Sequence, residues 1–183
     1  MGSMMHRALL LIGVAGVGKS TVADAIGGIL TSAGSVTAVV DTDALAQFGP
    51  RPDHGERRGR NFYDHLKCLN LGAVWANFQA AGARFIVVSA GIDNAALRDQ
   101  YADSLAGCEV LTARLVAAPE TLRERLQDRD GEAKSERHLR TLAEQDARLE
   151  AAAIDDFTVV NDRPATVVAR EVIALAGWLS LAG

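Results

Sequence analysis

Gly13-Val14-Ala15-Gly16-Val17-Gly18-Lys19-Ser20 is the stretch whose reading decides the fold. It fits G-x-x-x-x-G-K-[ST] at every fixed position, and its flanks supply the strand and helix that the motif needs. Upstream, Arg7–Ile12 reads RALLLI, a continuous apolar run suited to a strand buried on both faces. Downstream, Lys19–Ala33 places Val22, Ala25, Ile26 and Ile29 on one helical face, and Gly34 ends the run. Glycines let the backbone curl with its N–H groups turned inward around an anion. The start of the following helix adds the positive end of its dipole. Lys19 is then placed to reach the β- and γ-phosphates of a nucleoside triphosphate, and the Ser20 hydroxyl to ligate Mg²⁺. The expected nucleotide-binding set is Gly13, Val14, Ala15, Gly16, Val17, Gly18, Lys19, Ser20 and Thr21.

Beyond this loop the chain alternates between strand and helix patterns. Strands are expected at Val36–Val40, Phe85–Val88, Val110–Val116 and Phe157–Val160. Helices are expected at Phe62–Ala81, Asn94–Leu105, Glu120–Gln127, Ser135–Ala153 and Pro164–Leu181. In the first of these, Phe62, Leu66, Leu69, Ala73 and Ala76 form the expected inner stripe. The alternation argues for an α/β fold with a parallel sheet, as one domain over residues 4–183. Met1-Gly2-Ser3 reads as an expression scar. The polar, Gly- and Pro-rich stretch Gly49–Arg60, GPRPDHGERRGR, reads as a loop on the acceptor side, and residues 119–140 as a lid.

Composition narrows the function classes. The 183 residues are 49% hydrophobic and 23% charged, with a formal net charge of −4. That is ordinary globular composition, and the acidic balance argues against a broad nucleic-acid footprint. Two cysteines are too few for a disulfide framework, so a reducing cytoplasm is expected. No apolar run approaches the length of a membrane span. The four histidines show no metal-ligand spacing. Trp75 and Phe78 read as core or as a homodimer face, together with the apolar C-terminal helix.

The remaining candidates follow from where chemistry sits in such a sheet. Ligands bind beyond the carboxyl ends of the strands. Asp41 and Asp43 end the second strand, where a carboxylate can take a proton from a hydroxyl or hold Mg²⁺ through water. Asp43 is the expected catalytic carboxylate, with a cap on a helix starting at Ala44 as its structural alternative. Ser89 and Gly91 end the third strand at a place where a hydrolytic motor would carry an aspartate for the metal. Arg125 and Arg129 lie four apart in ETLRERLQDRDG and are expected to stabilise the transferring phosphoryl charge. Arg57 and Arg60 in the polar loop, and Arg98 after the third strand, are expected to grip an anionic acceptor, and Asp41, Ser89 and Gly91 at the strand ends are expected to bind it with them.

These segments together resemble the small P-loop kinases: gluconate kinase, adenylylsulfate kinase, shikimate kinase and chloramphenicol phosphotransferase. The resemblance rests on GVAGVGKS, the Asp-Thr-Asp pair, SAGIDNAALRDQYAD, PETLRERLQDRDG, RHLRTLAEQDARLE and DFTVVNDRPATVVAREV. It is strongest to gluconate kinase, and extends to uncharacterised actinobacterial P-loop proteins with a VDxDAL stretch and an AVWANFQAAGAR-like helix. It implies strand order 2-3-1-4-5, Lys19 and Ser20 on phosphates and Mg²⁺, and Arg125 and Arg129 in lid helices. It also implies Asp43 beside the acceptor, and Asn161–Pro164, including Arg163, beside the adenine. The acceptor-side stretch ALAQFGPRPDHGERRGRNFYDH carries none of the gluconate kinase His-Pro and Lys-Met pattern, so the acceptor stays unnamed. The expected activity is ATP- and Mg²⁺-dependent phosphoryl transfer to a hydroxyl of a small-molecule acceptor. A nucleotide-dependent switch or ATPase without transfer is the alternative. No guanine-reading Asn-Lys-x-Asp occurs, which favours ATP.

Overall fold

Ala8–Ile12 are wholly buried, because their strand is the middle of the sheet with neighbours on both sides. A computed structural model describes residues 5–49, 61–130 and 132–178; the side chains at 61, 129, 130 and 132–140 lie outside the description. Five parallel strands, β1 (His6–Ile12), β2 (Thr37–Asp41), β3 (Phe85–Ser89), β4 (Cys108–Val116) and β5 (Phe157–Val160), run in the order β2-β3-β1-β4-β5. Helices on both sides complete the P-loop NTPase fold, with the strand order the resemblance implied. They are α1 (Lys19–Ser32), α2 (Asn61–Ala80), α3 (Ala95–Ser104), α4 (Pro119–Asp130), α5 (Glu132–Ala152) and α6 (Ala165–Leu175). All five residues of β3 are buried, as expected of an inner parallel strand covered on both faces.

Strand and helix identities agree with the sequence reading, while several faces and ends differ. The buried side of α1 is Val22, Ala23, Ile26, Gly27 and Leu30, turned from the expected stripe so that Gly27 meets Val39 of β2. In α2 the buried residues are Cys68, Leu71 and Trp75, and Leu69 is exposed. The expected stripe, which ends in Ala73 and Ala76, loses over that half of the helix to the one carrying Trp75, whose burial removes more apolar area from water than either alanine's. The Trp75 ring meets His6 edge-on and its indole N–H donates to the Ala106 carbonyl, so it forms core and not a dimer face. Helix α6 stops at Leu175, before the expected Leu181, because Gly177 takes φ +69°. Its buried side, Val168, Ala169, Val172 and Ile173, belongs to the core. Helices α4 and α5 run closer to residue 131 than expected, to Asp130 and from Glu132.

Candidate active site

The phosphate loop spans the turn from Ile12 to Lys19, and its three glycines carry the turn. Gly13, Gly16 and Gly18 have φ of +142°, +80° and +95°, a region that side chains other than glycine's rarely occupy. Lys19 begins α1, and its ammonium donates to the carbonyls of Gly13 at 2.9 Å and Val14 at 3.1 Å. Burial lowers its pKa, while the nearby carboxylates of Asp43 and Asp41 pull the other way.

Ser20 and the two aspartates divide the floor of the site. Ser20 Oγ donates to Asp41 Oδ2 at 2.6 Å and lies 3.3 Å from Ser89 Oγ. The Asp43 N–H donates to Asp41 Oδ1 at 3.0 Å, so both Asp41 oxygens are engaged. Asp43 turns the other way and pairs with Lys67 of α2, Nζ to Oδ1, at 2.6 Å. The Asp43 side chain is 81% exposed and the Lys67 side chain 16%. Asp43 makes no helix cap; only a single 3-10 turn, Ala44–Ala46, follows it. A hydroxyl and a carboxylate side by side suit Mg²⁺, a hard cation that takes few protein ligands and completes its shell with phosphate oxygens and water. Among the described residues there is no group of three or more His, Cys, Asp or Glu side chains that could hold a metal ion.

Two cavities open on this floor and meet there. The nucleotide-side cavity, about 680 Å³, is lined by Gly16, Gly18, Ser20, Thr21, Arg125, Asn161, Arg163 and Ala165. The other, about 430 Å³, is lined by Gly13, Val14, Ala90–Asp93, Gln145, Arg148 and Leu149. Ala15, Lys19, Asp41, Asp43 and Ser89 line both.

The expected residues distribute unevenly around this cleft. Arg125 lines the nucleotide side, with its guanidinium donating to the Val17 carbonyl at 3.1 Å and the Asn161 carbonyl at 3.0 Å. Arg163 lies at the rim, paired with Glu171 and Asp162. Ser89 and Gly91 line the second cavity. Arg98 does not: its guanidinium turns to Thr112 at 3.4 Å and to Asp99 at 3.5 Å. Arg57 and Arg60 and the Arg129 side chain lie outside the described residues.

Three residues in or beside the cleft escape a reading of the sequence. Lys67, paired with Asp43, stands 24 residues from it on a helix, where a lysine ordinarily reads as solvated surface. Gln145 and Arg148 sit on α5, among many charged residues with nothing to single them out. Asn161, within the loop that the resemblance placed beside the adenine, donates its side-chain amide to the Val17 carbonyl at 2.6 Å.

Comparison with known proteins agrees with this architecture. Three solved structures are similar over nearly their whole lengths. A gluconokinase from Sinorhizobium meliloti 1021 is 24% identical, with 98% of this chain and 95% of that one covered and a TM-score of 0.59. A tunicamycin resistance protein from Deinococcus radiodurans is 19% identical, with coverage of 94% and 96% and a TM-score of 0.66. A shikimate kinase from Aquifex aeolicus is 18% identical, with coverage of 96% and 99% and a TM-score of 0.64. At these identities the likeness is one of fold. No curated protein matches the sequence significantly. Among the described residues no helix is long and apolar enough to cross a membrane. The family model described as an AAA domain matches residues 9–152, taking in the phosphate loop, both aspartates and α5, and the chain belongs to that family.

Proposed function

We propose that the chain transfers the γ-phosphoryl group of ATP to a hydroxyl of a small-molecule acceptor. One observation carries this reading: a second cavity opens beyond Lys19, on the far side from the nucleotide, with Asp43 at the junction. A switch or a simple hydrolase needs the nucleotide compartment alone. A transferase needs room for an acceptor whose hydroxyl meets the γ-phosphate in line. The similarity in fold to proteins named gluconokinase and shikimate kinase supports the same reading.

In this mechanism the loop Gly13–Gly18 and Lys19 hold the ATP phosphates, with Thr21 and Arg163 along the nucleotide wall. Ser20 and Asp41 would hold Mg²⁺, which would supply positive charge against the phosphate oxygens. Asp43 orients the acceptor hydroxyl through its outer oxygen and takes its proton as the oxygen attacks phosphorus and ADP leaves. Lys67 holds the other Asp43 oxygen, fixing the direction of the free one. Arg125 adds positive charge beside the transferring group. Ser89, Gly91, Gln145 and Arg148 face the acceptor.

The test is ATP consumption with pooled acceptors: sugar acids, shikimate, adenylylsulfate, nucleosides, and aminoglycoside and phenicol antibiotics. Products are read by mass spectrometry, with Lys19→Ala as the blank. An acceptor that gains phosphate only with intact Lys19 is the expected result. ATP binding with no product from any pool, together with hydrolysis stimulated by a protein partner, would overturn the proposal in favour of a switch.

A further inference from the structure

Arg114 stands on β4 between Ile12 of β1 and Thr158 of β5. Its side chain is 7% exposed, a depth at which an arginine is rarely found without a paired charge. Nη2 donates to Asp146 Oδ1 at 2.8 Å and to the Asp146 carbonyl at 3.2 Å. The neighbouring Nε is buried without a partner among the described residues. Nε and Nη2 form one edge of the guanidinium, the edge that grips a carboxylate with two parallel bonds. Here that edge is half engaged.

Energy alone gives little reason for such a pair, in which Arg114 is buried and the Asp146 side chain is 39% exposed. Solvent at Asp146 weakens the attraction while Arg114 still loses its water, and an orphan buried donor adds cost. What the pair supplies is direction. The described buried side chains of α5 are Leu142 and Leu149, seven apart. Two leucines choose the inward face of the helix, as the apolar stripes of α1 and α2 do, but apolar burial is non-directional and leaves play in the rotation. A charge-assisted hydrogen bond to one position narrows it. Asp146 lies next to Gln145 and two residues before Arg148, and those two line the acceptor compartment.

We propose that Arg114 is a positioning residue: through Asp146 it sets the rotation of α5 and so aims Gln145 and Arg148 into the second compartment. The kinetic consequence rests on the phosphotransfer reading; the hold on α5 does not.

The test compares wild type, Arg114→Met, Arg114→Lys and the apolar pair Arg114→Met with Asp146→Leu. Urea midpoints, hydrogen exchange across residues 141–152, and kcat and KM are measured on each. Arg114→Met speeds exchange across 141–152 by roughly tenfold and leaves β1 unchanged. The apolar pair recovers the urea midpoint but keeps kcat lowered by roughly tenfold, with KM for ATP unchanged. Arg114→Lys, which keeps the charge and one donor, recovers part of kcat. If the apolar pair recovers both midpoint and kcat, the pair is structural only and the proposal falls. If Arg114→Met leaves exchange over 141–152 unchanged, it falls as well. A wild-type protein that phosphorylates no acceptor would sink the phosphotransfer reading alone, and exchange would then decide the role of Arg114.

Discussion

Ser20 Oγ donates to Asp41 Oδ2 across 2.6 Å, joining the start of α1 to the end of β2. Asp43, two residues on, pairs instead with Lys67 of α2. The two carboxylates therefore serve different partners. Asp41→Asn keeps the shape and removes the charge, and is expected to raise the Mg²⁺ concentration for half-maximal ATP turnover by roughly ten- to a hundredfold. Ser20→Ala acts in the same direction, and Asp43→Asn leaves the Mg²⁺ midpoint in place. Turnover measured over a Mg²⁺ titration checks this. An Asp43→Asn shift as large as that of Asp41→Asn would show that the two are not divided.

Asp43 and Lys67 are expected to behave as one unit in the chemical step. Asp43→Asn lowers kcat by roughly 10²–10³ with KM for ATP kept, because the lost proton acceptor acts only in the transition state. Lys67→Met leaves the carboxylate present but unaimed, and costs roughly tenfold. The double variant is no slower than Asp43→Asn alone, since Lys67 has nothing left to hold. Steady-state kinetics on the three variants give the answer, and additive losses would mean that Lys67 has a role of its own.

Much of this architecture is legible in the sequence because the information is local. The phosphate loop carries its glycines, lysine and serine within eight residues, and the flanking RALLLI run and amphipathic helix specify their elements directly. The Asp-Thr-Asp pair is legible for the same reason, since strand ends face the ligand side of the sheet. What the sequence hides depends on distant pairing. Lys67 matters because α2 brings it to Asp43, and Arg114 because β4 lies under α5. Arg98 misleads for the same reason: its helix position suggests the cleft, but Thr112 and Asp99 take its guanidinium. The α2 stripe misleads because periodicity counts alanine and tryptophan alike, while burial weighs them by area.

Lys19 is expected to destabilise the fold it serves. Its lowered pKa, caused by burial against the pull of Asp43 and Asp41, means that the folded chain holds the proton more weakly than the unfolded one. The penalty is full below the folded-state pKa and fades as pH rises toward the ordinary value of 10.5. Ligand-free wild type therefore gains stability relative to Lys19→Met as pH rises through that window, whatever the variant loses by leaving the Gly13 and Val14 carbonyls without their donor. Cys68 and Cys108, the latter pushed up to about 11 by burial, lose stability as pH passes the ordinary thiol value of 9.0. That loss is common to both proteins and cancels in the difference. Thermal denaturation without nucleotide, at neutral pH and again close to the lysine value, measures the difference. A stability difference between wild type and Lys19→Met that stays constant between the two pH values would contradict the account.

Two glycines of α1, Gly18 at its N-cap and Gly28 in its second half, should respond oppositely to the same substitution. Gly18 holds φ +95°, and a Cβ there would lie 2.6 Å from Asn161 Nδ2. Asn161 is buried, and that nitrogen donates to the Val17 carbonyl of the phosphate loop. Gly18→Ala thus meets left-handed strain of about 1–2 kcal/mol and also displaces the amide that pins the loop. Gly28 lies on the exposed side of α1, with nothing within 4 Å of its would-be Cβ. There alanine is worth about 1 kcal/mol through helix propensity alone. Urea midpoints should fall for Gly18→Ala and rise for Gly28→Ala. Nucleotide affinity, titrated by calorimetry, should collapse in the first and hold in the second. Unchanged affinity in Gly18→Ala would mean that the Asn161 contact does not shape the phosphate loop.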